Sequence, residues 1–239
     1  MIMNIIAVNA QTVFKTNLKE DVGPNSWRII KKSHDQALAE KSTYFLIEMN
    51  TFGGAVNFAD SIRTLLLNSP MKTIVYVNNN AASAGTLIAL ASDYIYMNSG
   101  SSIGAAAVVN EKGEVMPEKY QSYMRGLMRA TAQAKGRDPK MAEAFVDPSV
   151  SMIEYKEDGK ILTFTTKEAI AANFANGEVS NISDIYTDLA IPLANERVYH
   201  VTTIDKIIGF LVNPMISGLL IMGIIAGIYF ELQTPGIGF

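Results

Sequence analysis

The chain has 239 residues, 49% of them hydrophobic and 18% charged, with 20 Lys and Arg against 23 Asp and Glu. A formal net charge of −3 argues against a nucleic-acid partner, and the absence of cysteine excludes a disulfide scaffold, thiolate zinc or iron–sulfur sites and a cysteine nucleophile. Two histidines, His34 and His200, leave little for a histidine metal site, so neither metal nor cofactor is expected.

In chain order, residues 1–10 (MIMNIIAVNA) are mostly apolar and end in a small-residue signal-peptidase pattern, but lack a basic start. They read as a truncated signal peptide, with an ordinary first strand as the alternative. Residues 26–40 have helical spacing with Asn25 as candidate N-cap. A strand at 44–49, a loop through Gly53-Gly54 and a helix at 55–67 follow. The β-branched run 73–77 predicts a buried strand, 78–80 a loop, 83–92 a small-residue helix and 94–97 a further strand. This alternation predicts an α/β fold of parallel βαβ units.

Beyond Gly100 come a small-residue stretch at 101–107, a polar turn at 111–114 and a helix opened by Pro117 and running to about residue 134. A turn at 136–139 leads to a short helix through Phe145, 152–165 reads as a hairpin around Glu157-Asp158-Gly159, and Thr166 is a candidate cap for a helix at 167–174 with its exit at Gly177. One domain, residues 11–200, precedes the charge-free run 207–230, bounded by Lys206 and Glu231 and long enough to span a bilayer. Asn213-Pro214 would kink or begin that span. Residues 231–239 read as a turn at the start of a truncated membrane region.

In such sheets sites gather where strands hand over to helices. The double glycine Gly53-Gly54 lets backbone N–H groups face a cleft, although a plain tight turn would look the same. In Ala81-Ala82-Ser83-Ala84-Gly85-Thr86, a serine opens a helix among small residues, with an accessible hydroxyl and a helix N-terminus that favours negative charge. Its alternative is a helix cap, and the GxSxG elbow is absent. Neither histidine is near this motif in sequence, which leaves a lysine base of lowered pKa as the common route. Lys112 lies in a charged turn, and Lys135 and Lys140 flank a helix end that stabilises a cation. Lys119 falls in the first turn of the Pro117 helix, where the dipole disfavours the ammonium. By mechanism Lys119 is the best base.

Gly53-Gly54, the 82–86 stretch ASAGT and Ser102-Ile103-Gly104-Ala105, in this order and spacing, resemble the membrane-bound ClpP-class serine proteases of the NfeD family, also called stomatin operon partner proteases. The resemblance extends from about Val22 to Asp188. It implies a ClpP/crotonase-like ββα spiral domain followed by a transmembrane helix, and a Ser83–Lys119 dyad without a triad. It also implies an oxyanion hole from the N–H groups of Gly54 and Ala84, with Gly53, Gly85, Ser102 and Gly104 around the substrate. The loop Asn50-Thr51-Phe52 stands where that family more often has Asp-Thr-Pro, and since long members also carry further membrane helices and a C-terminal β-barrel, this chain is expected to be one portion of such a protein.

The function expected is a membrane-anchored serine endopeptidase that cleaves hydrophobic stretches, with a stomatin-like membrane protein as substrate partner. A lipid bilayer surrounds its anchor, two or more copies form a homo-oligomer, and the protease domain faces the extracytoplasmic side of the cell membrane. The rival readings are a catalytically silent membrane scaffold and, from the same superfold, a crotonase-like acyl-CoA enzyme.

Overall fold

The apolar runs form a parallel sheet whose longest strand organises the rest. The computed structural model describes residues 11–192 and 195–233. It divides into two units, one ending at Tyr199 and one beginning at His200. The signal-like residues 1–10 and the tail residues 234–239 lie outside the described residues.

In the first unit, β1 (Val13–Leu18), α1 (Pro24–Ala39), β2 (Tyr44–Thr51), α2 (Val56–Leu67), β3 (Lys72–Ala82), α3 (Ala84–Leu90) and β4 (Tyr94–Met97) give the expected βαβ alternation. β5 (Ser102–Gly104), α4 (Glu118–Ala134), α5 (Pro139–Ala144), β6 (Thr163–Thr165), α6 (Thr166–Ala171), β7 (Gly177–Glu178), α7 (Ile182–Asp188) and β8 (Glu196–Val198) follow. The sheet order is β6-β5-β3-β2-β1-β8, with β4 on β3 and β7 on β4. All pairs are parallel except β5–β6. The eleven residues of β3 outlast any one neighbour, so β4 pairs with its first half and β5 with its end.

The larger core lies on one face, where Ile29 and Ile30 of α1, Ile62 and Leu66 of α2, all of α3, and Met124 and Met128 of α4 are buried. On the other face a smaller cluster joins Leu46, Ile74, Tyr76 and Tyr96 to Ile185 and Tyr186 of α7. Both faces covered is the expected condition of a parallel sheet.

Several sequence expectations are corrected. β1 was not foreseen, because Lys15 and Asn17 interrupt its apolar pattern. Lys15 is satisfied by Glu196 on β8 at 3.6 Å, and Val13, Phe14 and Leu18 are buried. Helix α1 starts earlier, at Pro24, with Gly23 rather than Asn25 as N-cap. Asn78, Asn79 and Asn80 are strand, not loop. The hairpin at 152–165 does not form: its second arm is only β6, which pairs with β5, while 151–162 is turns. The turn at 111–114 does close a small bridge, Val109 to Val115.

In the second unit the 207–230 run is divided. Residues 207–211 belong to α8 (Thr203–Leu211), and a separate helix α9 (Pro214–Gln233) follows. α9 is long and apolar enough to cross a membrane. Residues 231–233, expected in a turn, continue it.

His34 is a core residue. It is 3% exposed, packs edge-on against Phe45 at 5.2 Å, and its Nε2 lies 3.0 Å from Ser69 Oγ, while Nδ1 has no partner. Burial pushes the imidazole below its ordinary 6.5, Asp35 opposing and Lys31 assisting. The folded chain therefore resists a proton that the unfolded chain accepts, and stability held above 6.5 falls as the pH drops towards the folded-state value. Denaturation midpoints measured in detergent from about pH 7.5 to 5.5 should decline for the unmodified chain and more shallowly for His34→Phe. An equal decline would place the titration elsewhere.

Candidate active site

The carboxyl ends of β2, β3 and β5 converge on Ser83. This residue joins β3 to α3 at φ 53°, ψ −116°, a sharp strand-to-helix turn that L residues rarely adopt. The geometry is that of a nucleophile elbow, reached without the GxSxG pattern. Ser83 is half-buried, and its hydroxyl makes no hydrogen bond among the described residues.

Backbone and hydroxyl contacts hold the turn. Ser83 N donates to Gly104 O at 2.9 Å. Thr86 Oγ1, fully buried, lies 2.7 Å from Ala81 O and 2.9 Å from Gly104 O, and accepts from Gly104 N at 3.0 Å. One hydroxyl thus ties the end of β3, the first turn of α3 and β5. At the other end of α3, Arg137 donates to Leu90 O (3.2 Å) and Ser92 O (2.8 Å), a cation at a helix C-terminus, and its burial pulls its pKa down to about 10.

The double glycine is required by close approach. A Cβ on Gly53 (φ 118°) would lie 2.7 Å from Ser83 Cβ and 3.1 Å from its Oγ, so Gly53 lies directly against the serine. A Cβ on Gly54 (φ 144°) would fall 2.2 Å from Val22 O. Val22 N donates to Gly53 O (2.7 Å) and Ala55 N to Val22 O (2.8 Å), in a parallel bridge. In such a bridge the N–H of the central residue points away from its partner, so Gly54 N–H faces away from Val22. Gly54 is exposed, and neither its N–H nor that of Ala84 finds an acceptor among the described residues. Thr51 steadies this loop, its Oγ1 donating to Glu20 O at 2.8 Å and accepting from Gly53 N at 3.2 Å.

The other expected residues divide. Gly85 is buried, and a Cβ there would meet Thr51 Cγ2 at 2.7 Å. Gly104, at φ 141°, is buried with Leu162 O and Thr163 Cα at 2.7 Å from such a Cβ. These two glycines serve packing around the site. Ser102 is half-buried on β5 and donates to Asn80 Oδ1 at 3.2 Å.

Among the lysines, Lys135 pairs with Asp93 at 2.9 Å, while Lys112 and Lys140 are exposed. Lys119 lines a groove of about 640 Å³ with Val56, Asn57, Asp60, Val108, Tyr120 and Tyr123. Val56 and Asn57 open α2 directly after the double glycine, so the groove adjoins it. Lys119 Nζ lies over the Tyr120 ring at 5.1 Å and makes no hydrogen bond to Ser83.

Sequence reasoning missed Thr51, the clamping role of Thr86, and Gln121. Gln121 is buried, donates to Val108 O (2.7 Å) and Met116 O (3.1 Å), and accepts from Val108 N (3.0 Å), fixing the groove wall to α4. The two threonines flank the motifs at short offsets, which was a usable signal. Gln121 had none.

Residues 12–199 match the family model of the NfeD1b N-terminal domain. The chain belongs to the NfeD1b family. It is 31% identical to membrane protein NfeD1b of Bacillus subtilis over 95% of its own length and 52% of that protein's. It is 28% identical to the membrane-bound protease PH1510 of Pyrococcus horikoshii over 80% of its length and 46% of that protein's. The chain therefore spans about half of each relative. Among solved structures, the 1510-N membrane-bound stomatin-specific protease, as a lysine-to-alanine mutant in complex with a substrate peptide, superposes with TM-score 0.71 at 23% identity, covering 85% of this chain and 99% of that one. ClpP1 of Listeria monocytogenes gives TM-score 0.54 at 18% identity, over 72% of this chain and 94% of that one. The NfeD1b unit thus has a ClpP-like α/β fold.

The Thr86 clamp can be tested by stability alone. Thr86→Val leaves Gly104 N–H buried without its acceptor and should cost about 1–3 kcal/mol in urea denaturation, with Thr86→Ser retaining most of it. A loss below about 0.5 kcal/mol would show that Gly104 N–H finds another acceptor.

Proposed function

We propose that the unit ending at Tyr199 is a serine endopeptidase with Ser83 as nucleophile and Lys119 as its base. The observation that carries this is the strained Ser83 turn, which presents an unbonded hydroxyl against Gly53, with the adjoining N–H groups of Gly54 and Ala84 lacking an acceptor among the described residues. In the reaction Ser83 Oγ attacks a peptide carbonyl while Lys119 Nζ takes the hydroxyl proton. The two N–H groups hold the oxyanion, and the proton passes to the leaving amine as the C–N bond breaks. Water then attacks the acyl carbonyl and gives a proton to Lys119, which passes it to Ser83 Oγ as the ester C–O bond breaks and the carboxylic acid leaves. Lys119 reaches the serine by swinging its flexible stem off the Tyr120 ring, and such contacts often tighten only with substrate bound.

The groove beside Lys119 is mainly apolar, with Tyr120 and Tyr123 exposed along it, and suits an apolar peptide. The stomatin-specific relative supports a stomatin-like membrane protein as substrate, and its lysine-to-alanine mutant holding a substrate peptide supports a lysine role at the site. α9 anchors the chain in the cell membrane, and the signal-like 1–10 motivates an extracytoplasmic protease unit working as a homo-oligomer. The missing Ser83–Lys119 hydrogen bond favours, as second reading, a scaffold without catalysis.

Incubation with a peptide from the apolar tail of a stomatin-like protein, read by mass spectrometry, decides between them. Ser83→Ala and Lys119→Ala should each lower cleavage at least about 10³-fold while remaining folded. Lys119→Arg should be equally silent, since a guanidinium holds its proton. Full activity in Lys119→Ala would remove the lysine from the mechanism, and an inactive unmodified chain would favour the scaffold.

A further inference from the structure

The second unit carries apolar surface that a spanning helix does not account for. The twenty residues of α9 extend about 30 Å and cover the hydrocarbon core alone. α8 is an independent helix before it. Thr202 and Asp205 form a capping box at its start, and Asn213 Oδ1 accepts from Met215 N at 3.0 Å where α9 begins.

At about 100° per residue, α8 gathers its exposed apolar side chains on one arc, with the half-buried Ile208 at one edge and Lys206 beyond the other. Ile204, Ile207, Phe210 and Leu211 fall on one arc and are 65, 54, 59 and 46% exposed, while Asp205, Lys206 and Gly209 lie on the other. Four side chains on a nine-residue helix fall far short of the roughly 800 Å² per partner that a stable dimer buries. Asp205 is buried in the capping box, and Lys206 is the single exposed charge of α8, too little to select an anionic surface.

We propose that α8 lies in the plane of the membrane, with Ile204, Ile207, Phe210 and Leu211 sunk into the headgroup–acyl boundary of the bilayer that α9 crosses. The proposal rests on α9 spanning. It makes α8 the depth stop of the anchor, one that binds through apolar burial and needs no anionic lipid.

The full chain, reconstituted in phosphatidylcholine vesicles, tests this by tryptophan quenching. Phe210→Trp, Lys206→Trp and Ile221→Trp are each read as an increment over the parent chain, which has a single tryptophan. Lipids brominated near the headgroup should quench Phe210→Trp several-fold more than Lys206→Trp, and more than lipids brominated at mid-chain do. Ile221→Trp should respond chiefly to the mid-chain bromines. If Phe210→Trp is quenched no more than Lys206→Trp while Ile221→Trp behaves as expected, protein covers the stripe and the proposal fails. If Phe210→Trp responds chiefly to mid-chain bromines, α8 is part of the span and the proposal fails again. If Ile221→Trp escapes the mid-chain bromines, the spanning premise itself is lost.

Discussion

The contact between Gly53 and Ser83 is the constraint on which the candidate site depends. With less than a side chain's room between the β2–α2 turn and the β3–α3 turn, the first must be glycine and the second must fold back at positive φ. A non-glycine residue in that region costs on the order of 1–3 kcal/mol and persists only where its surroundings over-determine it. Here the surroundings are specific: the Ser83 N–Gly104 O bond, the Thr86 hydroxyl beneath, and the Thr51 hydroxyl fixing the opposing loop. Val22 adds a fourth segment by bridging to Gly54. Four separate chain segments therefore hold the two turns that meet at Gly53 and Ser83.

The same crowding prepares the donors. A residue that bridges through its neighbours' groups cannot use its own N–H in the sheet, and a residue at the first position of a helix has none of its own to make. Gly54 and Ala84 occupy these two situations beside the serine. Their N–H groups have no acceptor among the described residues, which is the condition that the proposed oxyanion role requires. Lys119 is different in kind. It stands on α4, whose placement depends on Gln121 gripping the 108–116 segment, and its ammonium rests on an aromatic ring. The serine side of the site is built by the sheet, whereas the lysine side is built by a helix and a loop.

That division matches what could be read from sequence. Gly53-Gly54 and the ASAGT stretch are local signals, and backbone requirements this severe leave residues with few alternatives. The βαβ alternation from 44 to 97 was legible for the same reason, since parallel strands buried on both faces read as apolar runs. β1 hid because Lys15 is satisfied by a partner over 180 residues away in sequence, Glu196, and no window along the chain sees that pairing. The failed hairpin at 152–165 has the same origin: β6 pairs with β5, and local alternation cannot tell one partner from another. In the second unit the charge-free run looked continuous, but Asn213-Pro214 caps one helix into being, and helix boundaries follow hydrogen-bonding needs more than hydropathy.

The asparagines 78–80 show why a polar run can remain strand and why the site end of the sheet stays open. Beyond Tyr76 the side chains of β3 are partly open to water, with Asn78 and Asn80 half-buried and Asn79 exposed, so the strand needs polar residues there. Asn78 donates to Glu48 Oε1 at 2.8 Å, and Lys19 pairs with that carboxylate at 2.6 Å. Asn80 donates to Asn50 Oδ1 at 3.4 Å and accepts from Ser102. The ladder replaces apolar packing with cross-strand amide bonds, and β2 and β3 stay paired past the end of the smaller core through a register shift between Met49 and Thr51. Had β3 stopped at Val77, where its apolar run ends, β5 would have lost its pairing partner and Gly104 its position beside Ser83. The polar extension is therefore what carries the strand end out to the half-buried Ser83.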